Sequence, residues 1–322
     1  MRTTRFTELV GCRHPLQQAG MGGVAKLDLA VAVSEAGALG TIGGAGLSAD
    51  QLSESLGAAA GRTQGPIAVN FLMPFVDRAA VEVAASKAKV VEFFYDEPDP
   101  VLVDVVHAGG ALAAWQVGSV SEAREAVGAG CDLVVAQGVE AGGHVRGEVA
   151  LLPLLEGVLD AVDVPVVAAG GIGTARGMAA VLAGGADAAR VGTRFVAAAE
   201  ADAHPEYVRA LVKAEAEDTV LTTAFSVMWP NAPHRVLRSC IDAAERFEGD
   251  VVGEVVDGDE RMAVPLFAPP CPGRTTEGEI AAMALYAGQS VGAVHKVQPA
   301  AEIVRELAEG AEALLRIAQP SG

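Results

Sequence analysis

Residues 133–144 read LVVAQGVEAGGH, an apolar run that passes into a glycine-rich loop and ends at His144. Two further runs repeat this plan, because residues 164–173 read VPVVAAGGIG and residues 188–195 read AARVGTRF. Short apolar runs bounded by glycine are typical of parallel strands that are buried on both faces. Segments of helical composition separate such runs along the chain, so the pattern predicts consecutive units of strand and helix.

Five earlier apolar runs extend this alternation towards the N-terminus. Strands are predicted near residues 15–19, 39–44, 66–72, 90–95, 112–117, 133–138, 164–171 and 188–195. Helices are predicted at residues 28–36, 49–60, 121–129 and 175–183, with Gly37, Gly130 and Gly185 among the glycines that end them. Eight strands that alternate with helices favour a closed barrel over an open sheet. The predicted fold class is therefore α/β, a (β/α)8 TIM barrel.

The alternation stops near residue 204, where charged segments of helical composition and a turn at 228–233 replace it. This change predicts a mostly helical insertion after the eighth strand. A last helix within residues 300–317 carries apolar residues on one face and is expected to pack back on the barrel. The predicted domains are a TIM barrel at 1–204, a helical insertion that serves the substrate at 205–275, and a C-terminal return to the barrel at 276–322.

Composition excludes several classes of protein. The chain has 322 residues, of which 51% are hydrophobic, and a formal net charge of −18. Nucleic acids and anionic membranes select clustered Lys and Arg, so neither is expected as a partner. The N-terminus has no apolar signal run, and no apolar stretch has the length of a membrane helix, so a cytoplasmic protein is predicted. The four cysteines form no CxxC pair, which predicts neither a metal site nor a disulfide framework.

The glycine loops after the last two strands predict a phosphate site. In TIM barrels these loops commonly bind phosphate through backbone N–H groups at helix starts. The loops here contain Gly171 in the first and Gly192 with Thr193 in the second. A Rossmann dinucleotide site does not fit, because no third glycine follows Gly171 and Gly173 at the required spacing. A ligand with one phosphate, such as FMN, is the better prediction.

Three other features fit a flavin ring. Gly20, Met21 and Gly22 follow the first strand and offer accessible backbone to a flat ligand. Asn70 is an amide within an apolar strand, so it needs a partner, either a flavin edge or a backbone carbonyl. His144 ends the glycine-rich loop at residues 138–144, and histidine has an ordinary pKa close to neutral.

The stretches at residues 18–23, 140–144, 166–172 and 191–195 resemble those of the nitronate monooxygenase (2-nitropropane dioxygenase-like) family. This family is FMN-dependent and is related to the FMN-dependent enoyl-acyl-carrier-protein reductases. The resemblance covers nearly the whole chain, and the EAGGH motif at 140–144 is its most specific part. It implies that the barrel at 1–204 binds FMN non-covalently and that His144 is catalytic. With the loops described above, the implied cofactor residues are Gly20, Met21, Gly22, Asn70, Gln137, Gly142, Gly143, Gly171, Gly192, Thr193 and Gln289.

The resemblance leaves the reaction open between two schemes. A nitronate monooxygenase would oxidise an alkyl nitronate with O2, with His144 as a base or as a group that orients the substrate. A reductase would take electrons from NAD(P)H and reduce an enoyl thioester or a quinone. Both schemes assume a histidine with a near-neutral pKa. The run at residues 225–235 looks more like the nitronate monooxygenases than like the reductases, and this resemblance favours the first scheme. A non-catalytic flavin-binding barrel and a barrel that handles phosphosugars are weaker alternatives.

Two side chains outside these motifs have open roles. Arg194 is predicted to pair with an acid in the fold rather than with a phosphate. Trp229 is predicted as a packing residue that could line the substrate pocket. A homodimer is possible.

Overall fold

Eight parallel strands form the centre of the computed structural model, which describes residues 3–257 and 260–317. Together with the strands of two smaller sheets, the strands of the described residues are, in chain order, Leu16–Gln18 (β1), Gly40–Gly43 (β2), Ile67–Leu72 (β3), Val90–Phe94 (β4), Leu112–Val117 (β5), Leu133–Gln137 (β6), Gly143–His144 (β7), Val166–Ala169 (β8), Ala188–Val191 (β9), Thr219–Thr222 (β10), His234–Leu237 (β11), Val251–Asp257 (β12), Glu260–Pro265 (β13) and Thr276–Gly278 (β14). The eight parallel strands are β1 to β6, β8 and β9.

The parallel sheet has the order β1-β9-β8-β6-β5-β4-β3-β2. A parallel bridge between Gln17 and Leu39 joins β1 to the start of β2, and this contact brings the two edges of the sheet together. Each strand pairs with neighbours in the cyclic order expected of a barrel. The predicted TIM-barrel fold is therefore confirmed.

The last two barrel strands are shorter than predicted. β8 ends before Gly170, whose φ of 105° lies in the left-handed region and turns the chain out of the strand. β9 ends before Gly192, which is the N-cap of a short helix that begins at Thr193. In both places the glycines that mark the predicted ligand loops also terminate the strand.

Helices surround the barrel and cap its connections. They are Arg5–Val10 (α1), Leu27–Glu35 (α2), Ala49–Ala60 (α3), Arg78–Lys87 (α4), Pro100–Gly109 (α5), Val120–Gly128 (α6), Leu151–Leu159 (α7), Ala175–Ala183 (α8), Thr193–Val196 (α9), Pro205–Lys213 (α10), Arg238–Arg246 (α11) and Ala300–Ile317 (α12). In the described part of the chain, none of them combines the length and the apolar character that a membrane crossing requires.

Helix ends follow the local signals in the sequence. Helix α6 has Ser119 as its N-cap, two residues before the predicted start, because the Ser119 hydroxyl accepts from the N–H of Glu122 at 3.2 Å. The predicted glycine stops are confirmed, since Gly37, Gly130 and Gly185 have φ of 91°, 101° and 104°. These left-handed conformations suit glycine and end the helices.

The N-terminal end of the barrel is filled by apolar side chains. Phe6 and Val10 on α1 pack in one cluster with inward-facing strand residues such as Leu39, Val90 and Val167. Helix α1 thus closes this end of the barrel. The opposite end, where the strands terminate at their carboxyl ends, stays open towards the loops.

The prediction of a mostly helical insertion is wrong. Residues 205–275 contain helices α10 and α11 but also strands β10, β11, β12 and β13. β12 and β13 form an antiparallel pair, and β14 joins the other edge of β12. Some of the charge lies on this sheet, since Arg261 on β13 is 3.0 Å from the carboxylates of both Glu254 on β12 and Glu277 on β14. Charged residues here therefore occur on an exposed sheet as well as on helices.

Candidate active site

A cavity of about 430 Å³ lies at the carboxyl ends of the barrel strands. Ten of the predicted cofactor residues line it, and they come from loops far apart in the sequence. They are Gly20, Met21, Gly22, Asn70, Gln137, Gly142, Gly143, Gly171, Gly192 and Thr193. The predicted catalytic residue, His144, lines the same cavity. The volume of the cavity is within the range of ordinary small-molecule sites.

Gln289 is the predicted site residue that does not line the cavity. Its side chain is exposed, and its backbone N–H donates to the carbonyl oxygen of Glu140 at 2.9 Å. The neighbouring Gly288 lies against Gly142 so closely that a Cβ on Gly142 would be 2.4 Å from the Gly288 nitrogen. The loop that contains Gly288 and Gln289 therefore contributes its backbone to the site, and the Gln289 side chain lies outside the cavity.

The loop after β8 is shaped by two successive glycines. Gly170 and Gly171 have φ of 105° and 68°, which residues with a side chain rarely adopt. A Cβ on Gly170 would also lie 2.9 Å from the Gly138 carbonyl oxygen. The two glycines therefore bring bare backbone to the cavity wall, as the sequence predicted for a ligand loop.

His144 is positioned by backbone pairing with the segment that follows the barrel. Strand β7 pairs with β11, which places His144 opposite His234. The side-chain amide of Gln137 donates to the His144 carbonyl oxygen at 3.1 Å and joins the loop to the end of β6. The imidazole stacks on Trp229, with ring centroids 3.9 Å apart and an interplanar angle of 22°.

Aromatic packing makes His144 a neutral group. Burial, together with the nearby His234, lowers the pKa of His144 from 6.5 to about 3. Besides Trp229, the rings of Tyr95 and Tyr286 lie within 5.7 Å of the imidazole centroid. The expectation of a near-neutral pKa is therefore wrong for this site, because the sequence does not reveal which aromatic side chains enclose the ring.

Below the cavity, a buried polar network crosses the barrel interior. The carboxylate of Glu92 accepts from Arg190 at 2.5 Å, from the Asn70 amide at 2.7 Å and from the Gln17 amide at 3.0 Å. The partner of Asn70 is therefore a carboxylate, which neither sequence alternative included. Arg190 also lines the cavity.

Sequence reasoning missed Glu92 and Arg190. The available signal was a charge inside an apolar strand, since Glu92 interrupts Val-Val-Glu-Phe-Phe and Arg190 follows Ala188 and Ala189. A fully buried charge requires a partner. The two residues are separated by 98 positions, so the sequence does not identify them as a pair.

Arg194 is paired within the fold, as predicted. Its guanidinium lies 3.0 Å from the carboxylate of Glu306 on α12 and also donates to the side chain of Gln298. The ion pair between Arg194 and Glu306 joins α9 to the C-terminal helix α12. Arg194 does not line the cavity.

The family model described as nitronate monooxygenase matches residues 3–82 and 73–310. The chain belongs to this family. The two matched stretches together cover the barrel and the segment that follows it. As a member of the nitronate monooxygenase family, the protein is an oxidoreductase, which confirms the predicted enzyme class.

Among similar proteins, a "(3aS,4S,5R,7aS)-5-hydroxy-7a-methyl-1-oxo-octahydro-1H-indene-4-carboxyl-CoA dehydrogenase" from Mycobacterium tuberculosis is 36% identical over 240 residues. The match covers 73% of this chain and 66% of that relative. The structure of FabK from Thermotoga maritima is 32% identical, with a TM-score of 0.82 and 98% of each chain covered. A nitroalkane oxidase from Streptomyces ansochromogenes is 30% identical, with a TM-score of 0.78 and coverage of 97% of this chain and 100% of that one.

In this member of the nitronate monooxygenase family, two tyrosine hydroxyl groups at the cavity are bonded to the backbone. The Tyr286 hydroxyl donates to the Pro269 carbonyl oxygen at 2.7 Å, and the Tyr207 hydroxyl donates to the Tyr286 carbonyl oxygen. Among the described residues, the cavity-lining buried side-chain atoms without a partner are Gln137 Oε1 and His144 Nε2. Buried polar atoms are normally paired, so these two atoms are suited to meet a ligand.

Proposed function

We propose that this protein is an FMN-dependent nitronate monooxygenase, which oxidises alkyl nitronates with O2. The observation that carries the proposal is His144, a neutral imidazole whose buried Nε2 has no partner and which lines the main cavity at the barrel mouth. Membership of the nitronate monooxygenase family supports the same reaction.

The cavity fits FMN on two grounds. The unpartnered Gln137 Oε1 is an acceptor that a donor on the ligand would satisfy. The backbone at Gly20, Met21 and Gly22 offers a wall for a flat ring, and Gly171, Gly192 and Thr193 would hold the phosphate. FMN, when bound, supplies the electron acceptor for the substrate and then the reductant for O2.

His144 would act on the substrate as a neutral group. A neutral imidazole carries one N–H and one lone pair, so Nε2 can accept a proton or donate a hydrogen bond, according to the tautomer. Accepting the α-proton of a neutral nitroalkane would produce the nitronate, but a pKa of about 3 makes the imidazole a weak base for that step. Donating a hydrogen bond to the nitro group would orient a nitronate that is already formed, and this role needs only the neutral ring.

The segment 205–275 would provide the substrate side of the cavity. Met228, Trp229 and Cys271 line the cavity together with the barrel loops. They come from turns between the secondary-structure elements of that segment. This arrangement supports the division of the chain into an FMN-binding barrel at 1–204, a substrate segment at 205–275 and a return at 276–322. The cytoplasmic location and the possible homodimer stay predictions.

A second candidate is redox chemistry on an acyl thioester or a quinone with NAD(P)H as the reductant. The similarity to a carboxyl-CoA dehydrogenase at 36% identity favours it, and so does the similarity to FabK. The same neutral His144 would then donate a hydrogen bond to the carbonyl or protonate the enolate. The two candidates differ in which molecule delivers electrons to the flavin.

Anaerobic mixing of the yellow holoenzyme with propyl-2-nitronate, and separately with NADH or NADPH, distinguishes the candidates. Loss of flavin absorbance with nitronate alone, reversed by O2, is the expected result. Rapid loss with a pyridine nucleotide and none with nitronate would favour the second candidate. In His144→Gln, bleaching by propyl-2-nitronate should slow, because the imidazole that orients the nitro group is lost. A protein that takes up no FMN would contradict both candidates.

A further inference from the structure

Trp229 covers one face of the His144 imidazole. The two rings are stacked at 3.9 Å, and Trp229 itself is only 7% exposed. The ring centroid of Trp229 lies 4.7 Å from that of Tyr95 and 5.1 Å from that of Phe75, and both pairs of rings are near-perpendicular. Tyr95 also meets His144 edge-on at 5.7 Å. One face of the imidazole is therefore covered by a ring that is held in place from two further sides.

The loop that carries Trp229 is fastened at both ends by His234. The Nδ1 atom of His234 donates to the Ala232 carbonyl oxygen at 2.8 Å, and its Nε2 accepts from the Phe225 N–H at 3.2 Å. A carbonyl can only accept and an N–H can only donate, so these bonds fix a neutral tautomer of His234. Between these ends, Met228 and Asn231 have positive φ of 72° and 57°, a conformation that needs such support.

We propose that Trp229 is a positioning residue for His144, which fixes the plane of the imidazole and excludes water from its stacked face. His234 takes part by fastening the loop at 225–232, and it does not act as a proton relay because both of its ring nitrogens are bonded to backbone. The inference rests on the proposed function of His144. According to this inference, the orientation of His144, a barrel residue, depends on Trp229, a side chain of the segment that follows the barrel.

The titratable groups that face His144 come from three different elements. Tyr95 follows β4, His234 lies on β11 and Tyr286 lies after β14. Burial raises the pKa of Tyr95 to about 12 and lowers the pKa of His234. Burial also raises the pKa of Tyr286 well above its ordinary value. The charged neighbour on β11 is Arg235, whose guanidinium is bonded to the Val139 carbonyl oxygen at 2.8 Å.

Four variants test the proposal by NMR of protein labelled at histidine Cε1. The chain has six histidines, so His144→Gln identifies the signal of interest. Trp229→Ala should expose the ring and raise the pKa of His144 by at least about one unit towards 6.5. Trp229→Phe retains a stacking ring and should keep the wild-type titration. Val227→Ala alters a partly exposed side chain of the same loop and is the matched control.

Activity provides a second readout. With propyl-2-nitronate as substrate, Trp229→Ala should lower kcat by about tenfold or more and introduce a loss of rate as the pH falls through the raised pKa of His144. Trp229→Phe should restore both to near wild-type values. An unchanged titration of His144 in Trp229→Ala, or in Trp229→Leu if the alanine variant does not fold, would overturn the proposal. If His144→Gln stays fully active while Trp229→Ala still shifts the titration, the proposed function fails and the positioning role stands.

Discussion

Replacing Arg190 by methionine tests the energetic importance of the network below the cavity. The side chains of Arg190 and Glu92 are 4% and 0% exposed, and they meet at 2.5 Å. Methionine preserves much of the aliphatic stem but removes the guanidinium. Glu92 would then retain only the amide donors of Asn70 and Gln17 at 2.7 and 3.0 Å.

The expected cost follows from leaving a buried carboxylate without its cation. Removing one partner of a buried ion pair typically costs about 3–5 kcal/mol, because the remaining charge stays desolvated. Arg78→Met is the matched control, since Arg78 and Glu82 form an ion pair in which the side chains are 61% and 59% exposed. Such an exposed pair contributes only about 0–1 kcal/mol.

Urea unfolding followed by far-ultraviolet circular dichroism measures both variants. Arg190→Met should lower the free energy of unfolding by several kcal/mol more than Arg78→Met. The double variant Glu92→Gln/Arg190→Met should recover part of the loss, because glutamine removes the charge and keeps an acceptor for the two amides. Equal costs for Arg190→Met and Arg78→Met would contradict the larger energetic importance of the buried ion pair.

Two further predictions concern the cavity wall and pH. Gly142→Ala should destabilise the protein by about 1–3 kcal/mol in thermal melts, because its Cβ would lie 2.4 Å from the Gly288 nitrogen. Gly57→Ala, in the exposed middle of α3 with no atom within 4 Å of the new Cβ, should instead stabilise it by about 0.5–1 kcal/mol. The reverse signs would contradict the packing argument. The lowered pKa of His144, about 3 against an ordinary 6.5, means that the unfolded chain binds the extra proton between these values. The free energy of unfolding should therefore fall with acidification in that window, by at most about 1.4 kcal/mol per pH unit from this residue, and less steeply in His144→Gln. Identical pH slopes for the two proteins would argue against a neutral, buried ring.

Local patterns were sufficient to predict the barrel. The strand at residues 112–117 has its predicted bounds, and each of the other predicted strands overlaps an observed one. The glycine stops at Gly37, Gly130 and Gly185 were also predictable, because a left-handed conformation at the end of a helix selects glycine over short range. The failure came after residue 204, where a charged segment was predicted to be mostly helical although it also contains strands β10 to β13. The pairing of such strands depends on segments that come together only in the folded chain.

The barrel and the glycine loops at the carboxyl ends of its strands were predictable from local patterns, because hydrophobic period and glycine placement act over a few residues. The chemical state of His144 follows instead from the tertiary structure. Trp229 reaches His144 from a loop 85 residues further along the chain, and Arg190 meets Glu92 across 98 residues. Desolvation and charge pairing depend on such three-dimensional neighbours, so the pKa of His144 and the partner of Asn70 follow from the fold alone.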